Sequence, residues 1–268
     1  MGFWLVLNKI MSNKISSKDN PSFKYLKKLS DKSSFRKKEE KFLVEGFNEI
    51  SLCIKSNYII EAIYISKKKD RNIFPSDIKI NVINEDLLDK ITYRKTEGII
   101  AIVKIKKQYL KDIVLDNNEF ILVLENPEKP GNIGAIMRTY EACGFKNIFI
   151  VNSKIEVYNP NTIRSSLGSI FHLNIFKLKY EQMFNFLKKN QFKVYSSFIK
   201  SKKRFDKINY IKKCALIMGP EKDSVSPRCI EKSDELIKIP MYGKIDSLNL
   251  SVATGIILYE AVKQRKFF

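Results

Sequence analysis

Histidine is almost absent from this chain. His172 stands alone among 268 residues, and the four cysteines, Cys53, Cys143, Cys214 and Cys229, are scattered with no CxxC pair. A structural zinc site needs four converging nitrogen or sulfur ligands, so this distribution argues against bound metal. It also argues against a disulfide framework and fits a reduced, cytoplasmic protein. Acidic residues are the second scarcity: 29 Asp plus Glu face 49 Lys plus Arg, a net charge of +20. A field of that sign favours polyanions, and nucleic acid is the expected partner, with a membrane surface the weaker alternative. Only eight of the basic residues are Arg, and the chain is rich in Ile and Asn, so compositional drift is a competing source of lysine. Long apolar runs are missing too. FWLVL, within Gly2 to Met11, is too short to span a bilayer and follows no basic region, so neither a membrane span nor a secretory leader is expected. Either it packs on the body or it is an upstream extension, with Met11 the true start.

What is present is organised. The hydrophobic fraction of 44% supports real cores, and the length suggests two domains. Residues 1–21 read as an N-terminal extension and 22–105 as a small α/β domain. A helix is predicted over SFKYLKKLSD, followed by the basic patch Arg36, Lys37 and Lys38, facing solvent or RNA. Strands are predicted at FLVEG, IIEAIYIS, IKINVI and GIIAIVKI, with helices at FNEISLCIK and EDLLDKI. Further basic runs, Lys67 to Lys69 and Lys202 to Arg204, either track RNA or only solubilise the chain. Residues 106–118 are charged without a strong apolar run and read as a linker.

From Glu119 to the end, 119–268, strand, loop and helix patterns repeat: FILVLE, NIFIV and CALIMG are continuous apolar runs of the buried type. Alternation of this kind predicts an α/β domain with a mainly parallel sheet and helices on both faces. Ligands in such sheets gather beyond the strand C-termini. Three loops leave those ends, at 125–132, 219–226 and 240–249. In the last, IPMYGKIDSLNLSVATG, Asn249 or Ser247 is placed to cap the final helix, and Ser247, Asn249 and Ser251 add donors and acceptors where free helix N–H groups converge. GNIG lacks the lysine and spacing of a P-loop and the glycine pattern of a dinucleotide fold.

Taken in order, NPxxxGNIGAIxR, a Gly-Pro-Glu turn and IPMxGxxxSLNLSVA resemble the SpoU (TrmH-like) family of RNA ribose 2′-O-methyltransferases, within the SPOUT superfamily, over residues 119–266. The segment NPNTIRSSLGSIFHL is similar to the family's intervening stretch, and VEG and TEGIIAIV resemble its accessory L30e-like RNA-binding domain. The resemblance implies a deep trefoil knot and a homodimer. It also implies S-adenosylmethionine as cofactor, bound near Gly219, Ile239 and Leu248 with Leu216, Ile217, Met218, Met241 and Ser251. The family's essential arginine falls on Arg138, as base or as a holder of RNA phosphate or hydroxyl. Asn126 and Asn249 would position Arg138 or the ribose, Glu221 would orient the motif, and Ser247 would hydrogen-bond near the reacting oxygen. His172 is read as structural and Cys143 as core. The activity implied is ribose 2′-O-methylation of structured RNA, with 23S ribosomal RNA favoured over transfer RNA. A rival reading is a non-catalytic RNA-binding SPOUT protein. No metal and no membrane are expected.

Overall fold

The computed structural model describes residues 14–66, 74–93 and 98–266, without the side chain of 266. The FWLVL run, the question of Met11, the Lys67 to Lys69 patch and the Thr96-Glu97 part of TEG lie outside the described residues. Two compact units divide at Lys106/Lys107, and the segment Tyr158–Arg164 joins the first.

The first unit begins with α1 (Pro21–Asp31), whose start is fixed by Pro21 and by Asn20, which accepts the Ser22 N–H at 2.9 Å. α2 (Ser33–Glu39), β1 (Lys41–Glu45), α3 (Phe47–Lys55), β2 (Ile60–Ile65), β3 (Ile80–Val82), α4 (Glu85–Leu88) and β4 (Ile99–Lys104) follow. The sheet order is β1-β4-β2-β3; β4 runs antiparallel to both neighbours, and β2 and β3 are parallel. Leu26, Leu29, Ile83 and Ile100 are fully buried in its core. Each such side chain contributes roughly 1.5–3 kcal/mol of transfer free energy.

The stretch up to residue 21 is not wholly an appendage: Ile15 is buried, donates to the Val82 carbonyl at 2.8 Å and pairs with Ile83. Arg36, expected to face solvent or RNA, is turned into the fold. It is 2% exposed, and its Nη1 donates to the carbonyls of Leu29 and Ser30, both at 2.7 Å, at the end of α1 where helical carbonyls lack partners. Lys37 and Lys38 beside it are exposed. Tyr158 belongs with this unit because its ring stacks on Phe42, with centroids 4.4 Å apart, and its hydroxyl lies 3.2 Å from that of Tyr58.

The second unit contains β5 (Phe120–Glu125), α5 (Pro130–Ala142), β6 (Asn147–Val151), β7 (Asn174–Leu178), α7 (Tyr180–Lys189), β8 (Lys193–Ser197), β9 (Cys214–Met218), α8 (Pro227–Lys232), β10 (Glu235–Ile237) and α9 (Leu250–Lys266). Another helix, α6 (Pro160–Ser166), lies between β6 and β7 in the chain. Six strands pair in the order β10-β8-β9-β5-β6-β7, all parallel, as the uninterrupted apolar runs predict. Ile121, Val123, Phe149, Val151 and Ile217 join Met183 and Leu187 of α7 in one core cluster. α5 packs against α9. The predicted linker is no free connector: Leu110, Ile113 and Leu115 pack on that cluster, and the Gln108 amide donates to Asn174 at 3.3 Å.

Candidate active site

The three loops at the strand ends do converge, and the residues explain how. β9 ends at Met218, and Gly219 follows so closely against the next loop that a Cβ there would come within 2.7 Å of the Val225 backbone nitrogen. No side chain fits in that space. The loop then turns through Pro220 and Glu221 to Ser226, which caps α8 by accepting the Cys229 N–H. A cavity of about 290 Å³ opens between this loop and the segment after β10. Met218, Gly219, Ile239, Met241 and Leu248 give it apolar walls, and Glu221, Asp246 and Ser247 are among its polar lining, with Lys222, Asp223 and Lys238. Apolar walls with a few placed polar groups suit a small amphipathic ligand.

Beside the cavity a polar cluster joins the three loops. Asn132, in the first turn of α5, donates its amide to Glu221, which also accepts Lys129 Nζ. The Asn132 oxygen accepts from the Asn249 amide at 3.4 Å. Asn249 in turn caps α9, taking the Ser251 N–H at 2.9 Å and the Ser251 hydroxyl at 2.7 Å on its own oxygen. One carboxylate thus fixes the helix after β5 to the turn after β9, and one capping asparagine adds the helix after β10. Arg138, on α5, is exposed, and no described residue hydrogen-bonds or ion-pairs with its guanidinium.

A second carboxylate acts behind the cavity. Glu125, the last residue of β5, is 2% exposed and accepts three donors: the Tyr180 hydroxyl at 2.6 Å, the Ser226 N–H at 2.9 Å and the Cys229 thiol at 3.3 Å. The Ser226 bond pins the far end of the 219–226 loop. Burial, reinforced by the bond to Glu125, pushes the Tyr180 hydroxyl up to about 12. Burial likewise pushes the Cys229 thiol up to about 12, so it is no nucleophile at neutral pH. Cys143 is buried, and His172 meets Glu141 at 3.1 Å.

Of the predicted residues, Gly219, Met218, Ile239, Met241, Leu248, Ser247 and Glu221 line the cavity. Leu216 and Ile217 do not: both lie inside β9 with no exposure, and only the strand's last residue reaches the wall. Ser251 serves the Asn249 cap instead of the cavity. Asn126 is displaced as well. Its left-handed backbone (φ 43°) turns it into a separate groove at the ends of β5, β6 and β7, lined by Asn152, Lys154 and Lys179. Asn132, and not Asn126, hydrogen-bonds to Glu221 and Asn249.

Residues 119–259 match the model of the SpoU rRNA Methylase family. The chain belongs to that family. Residues 20–101 match the MRM3-like substrate binding domain. Among relatives of this SpoU chain, the 23S rRNA (guanosine(2553)-2′-O)-methyltransferase RlmP of Bacillus subtilis is 29% identical over 249 residues, covering 91% of this chain and 97% of the relative. The tRNA (guanosine(18)-2′-O)-methyltransferase of Thermus thermophilus is 36% identical over 148 residues, 55% of this chain and 76% of the relative. The AdoMet-bound rRNA methyltransferase of Sinorhizobium meliloti superposes with a TM-score of 0.85 at 25% identity, covering 93% of this chain and 97% of that one.

For a SpoU chain the residues that sequence reasoning passed over are Asn132, Lys129 and Glu125. Asn132 was legible: it is the only side chain with hydrogen-bonding groups in GNIG, at a helix start where free N–H groups converge. Glu125 had no such signal, because a glutamate ending an apolar strand reads as the strand meeting water. Among the described residues no group of three or more His, Cys, Asp or Glu could hold a metal ion, and no helix is long and apolar enough to cross a membrane.

Proposed function

We propose that this protein transfers the methyl group of S-adenosylmethionine to a ribose 2′-hydroxyl of structured RNA, and that its substrate is 23S ribosomal RNA. The observation that carries the reading is the cavity closed by Gly219 and Leu248, with the Asn132–Glu221–Asn249 cluster at its lip and Arg138 unpartnered on the same helix as Asn132. The cavity fits the cofactor: it has apolar walls for an adenine, a glycine where a Cβ would close the space, and exposed Ser247 and Asp246 for polar groups. When bound, S-adenosylmethionine supplies an electrophilic methyl on its sulfonium. Met218, Ile239, Met241 and Leu248 hold the ligand and exclude water from it. Asn132, Glu221 and Asn249 keep the three loops in register, and Ser247 donates toward the reacting oxygen. Arg138 presents five donors and no acceptor, so its part is to hold an RNA phosphate and steady the ribose, while the hydroxyl proton passes to solvent.

Ribosomal RNA is preferred to transfer RNA on one ground. Similarity to RlmP covers 91% of the chain, and so reaches into both units, whereas the transfer RNA enzyme matches 55% of it; residues 20–101 match a substrate binding domain model. The working form is a cytoplasmic homodimer. Val252, Ile256 and Tyr259 recur at helical spacing on α9 with 50%, 37% and 56% exposure, an apolar stripe suited to a second copy. A trefoil knot is part of the same reading. It is supported by the return of the chain from β10 at one sheet edge to place α9 on α5, past the tight Gly219–Val225 contact.

Methylation of 23S and transfer RNA from cells with and without the gene, mapped by resistance of 2′-O-methylated linkages to alkali, tests the assignment. One lost mark in 23S RNA supports it, and a lost mark in a transfer RNA reassigns the substrate. RNA binding without any lost mark or labelled methyl transfer would sink the enzyme reading in favour of a non-catalytic binder.

A further inference from the structure

In the first unit, Tyr93 is 60% exposed, yet it is not loosely held. Its backbone N–H is gripped by both carboxylate oxygens of Glu45, at 3.1 and 3.0 Å, where β1 ends. The guanidinium carbon of Arg164, on α6, lies 4.4 Å from the centre of the Tyr93 ring and covers one face. Arg164 is itself held: its Nη2 donates to Asn161 at 3.1 Å; burial raises the Glu45 carboxyl, and the Tyr93 N–H and the Arg164 charge offset only part of that rise. The ring is therefore anchored at its backbone and backed by a planar cation on one side, with 60% of the residue exposed. A cation behind an aromatic ring adds a favourable charge to a flat surface.

We propose that the Tyr93–Arg164 pair is a stacking platform for an unpaired nucleobase of the RNA substrate. The inference rests on the RNA methyltransferase reading and extends it by locating a base contact outside the catalytic cavity. Unpaired bases are commonly read by stacking on tyrosine rings and arginine planes, and such a surface is tolerant of base identity because every base has a π face. A chain with a net charge of +20 already attracts the phosphate backbone, so a preset aromatic surface adds what charge alone lacks, a preference for unstacked over paired RNA. The competing account is a surface cation–π pair that only steadies the fold.

The test uses the full chain and two fluorescein-labelled probes, a short oligoadenylate single strand and its duplex with oligouridylate, with affinities read by anisotropy at fixed salt. Tyr93→Ala is expected to weaken single-strand binding about tenfold, the loss of one stacked base. Duplex binding and S-adenosylmethionine affinity should stay unchanged. Tyr93→Trp should bind the single strand at least as well as the wild type, and Tyr93→Phe should match it, showing that the ring matters and not the hydroxyl. Arg164→Lys, which keeps the charge and loses the plane, should lose part of the preference. Single-strand binding unaltered by Tyr93→Ala, or an equal loss on strand and duplex, would overturn the platform while leaving the methyltransferase reading intact. A wild-type chain that binds neither probe nor ribosomal RNA would overturn both.

Discussion

Two pairs of like residues divide this molecule into braces and lips. Arg36 and Glu125 are each 2% exposed, and their bonds run to backbone carbonyls, a backbone N–H, a phenol and a thiol. Arg138 is exposed on α5, and Glu221 lines the cavity while accepting from Lys129 and Asn132. The side-chain chemistry within each pair is identical, so what separates fold from function is where the strand or helix ends relative to water. A charge enclosed by donors or acceptors of its own chain has no capacity left for a substrate. A charge at the rim of a cavity keeps that capacity, and if it also ties loops together it sets the shape that a substrate meets.

The sharpest way to break this contrast is to remove both arginines separately. Arg138→Ala should lower methyl transfer about 10²–10³-fold, or ~3–4 kcal/mol of barrier, as for other single donors aimed at a reacting group. Its melting temperature should stay at the wild-type value. Arg36→Ala should do the reverse. Leaving the Leu29 and Ser30 carbonyls short of a charged donor costs about 2–3 kcal/mol of stability, seen as a lower denaturant midpoint, and activity per folded molecule should persist. A large activity loss with normal stability in Arg36→Ala would put that residue back among the RNA-binding groups. Lys37→Ala and Lys38→Ala, changed beside it, are expected to flatten the salt dependence of RNA binding by about one unit of slope for each phosphate that is no longer neutralised.

Much of this arrangement is legible in the sequence. Continuous runs such as FILVLE and CALIMG required strands buried on both faces, and those strands run parallel. Loop positions followed from where the runs stopped. What the pattern could not supply was the direction of a side chain once the backbone left the regular regions. Asn126 and Asn132 both sit in the same polar loop sequence, and only the left-handed turn at Asn126 sends one of them to a different groove. Arg36 failed for a related reason: it looks solvated beside two lysines, but a kink between α1 and α2 folds it back over the carbonyl end of α1. Leu216 and Ile217 lie on the strand that leads to the cavity, but only its last residue, Met218, touches it.

Among the carboxylates, Glu125→Gln should have the larger effect of the two sites. The new amide has one acceptor oxygen for three donors, so its N–H groups meet either the Ser226 N–H, donor against donor, or the Tyr180 hydroxyl and Cys229 thiol, which must then turn to accept, at about 1–2 kcal/mol. Because the Ser226 bond pins the 219–226 loop, S-adenosylmethionine affinity should fall several-fold while the maximal rate at saturating cofactor is nearly kept. A fall in the maximal rate with unchanged affinity would place Glu125 in the chemistry and erase its difference from Glu221.

The smallest effect belongs to the ion pair at the lip. Lys129 is 64% exposed where it meets Glu221, whose side chain is only 12% exposed, and the solvated lysine end keeps such a pair to about 0–1 kcal/mol, screened further by salt. Lys129→Ala should therefore leave the melting temperature within error of wild type and change cofactor affinity by less than about fivefold. Asn132 keeps its own bond to Glu221 and its link to Asn249, so the three loops stay joined without the lysine. Isothermal titration with S-adenosylmethionine at low and high salt reads this directly. A loss comparable to that of Glu125→Gln, present at both salt concentrations, would mean that Lys129 acts on the ligand itself, and the lip would then be a charged part of the binding site and not only a tie between loops.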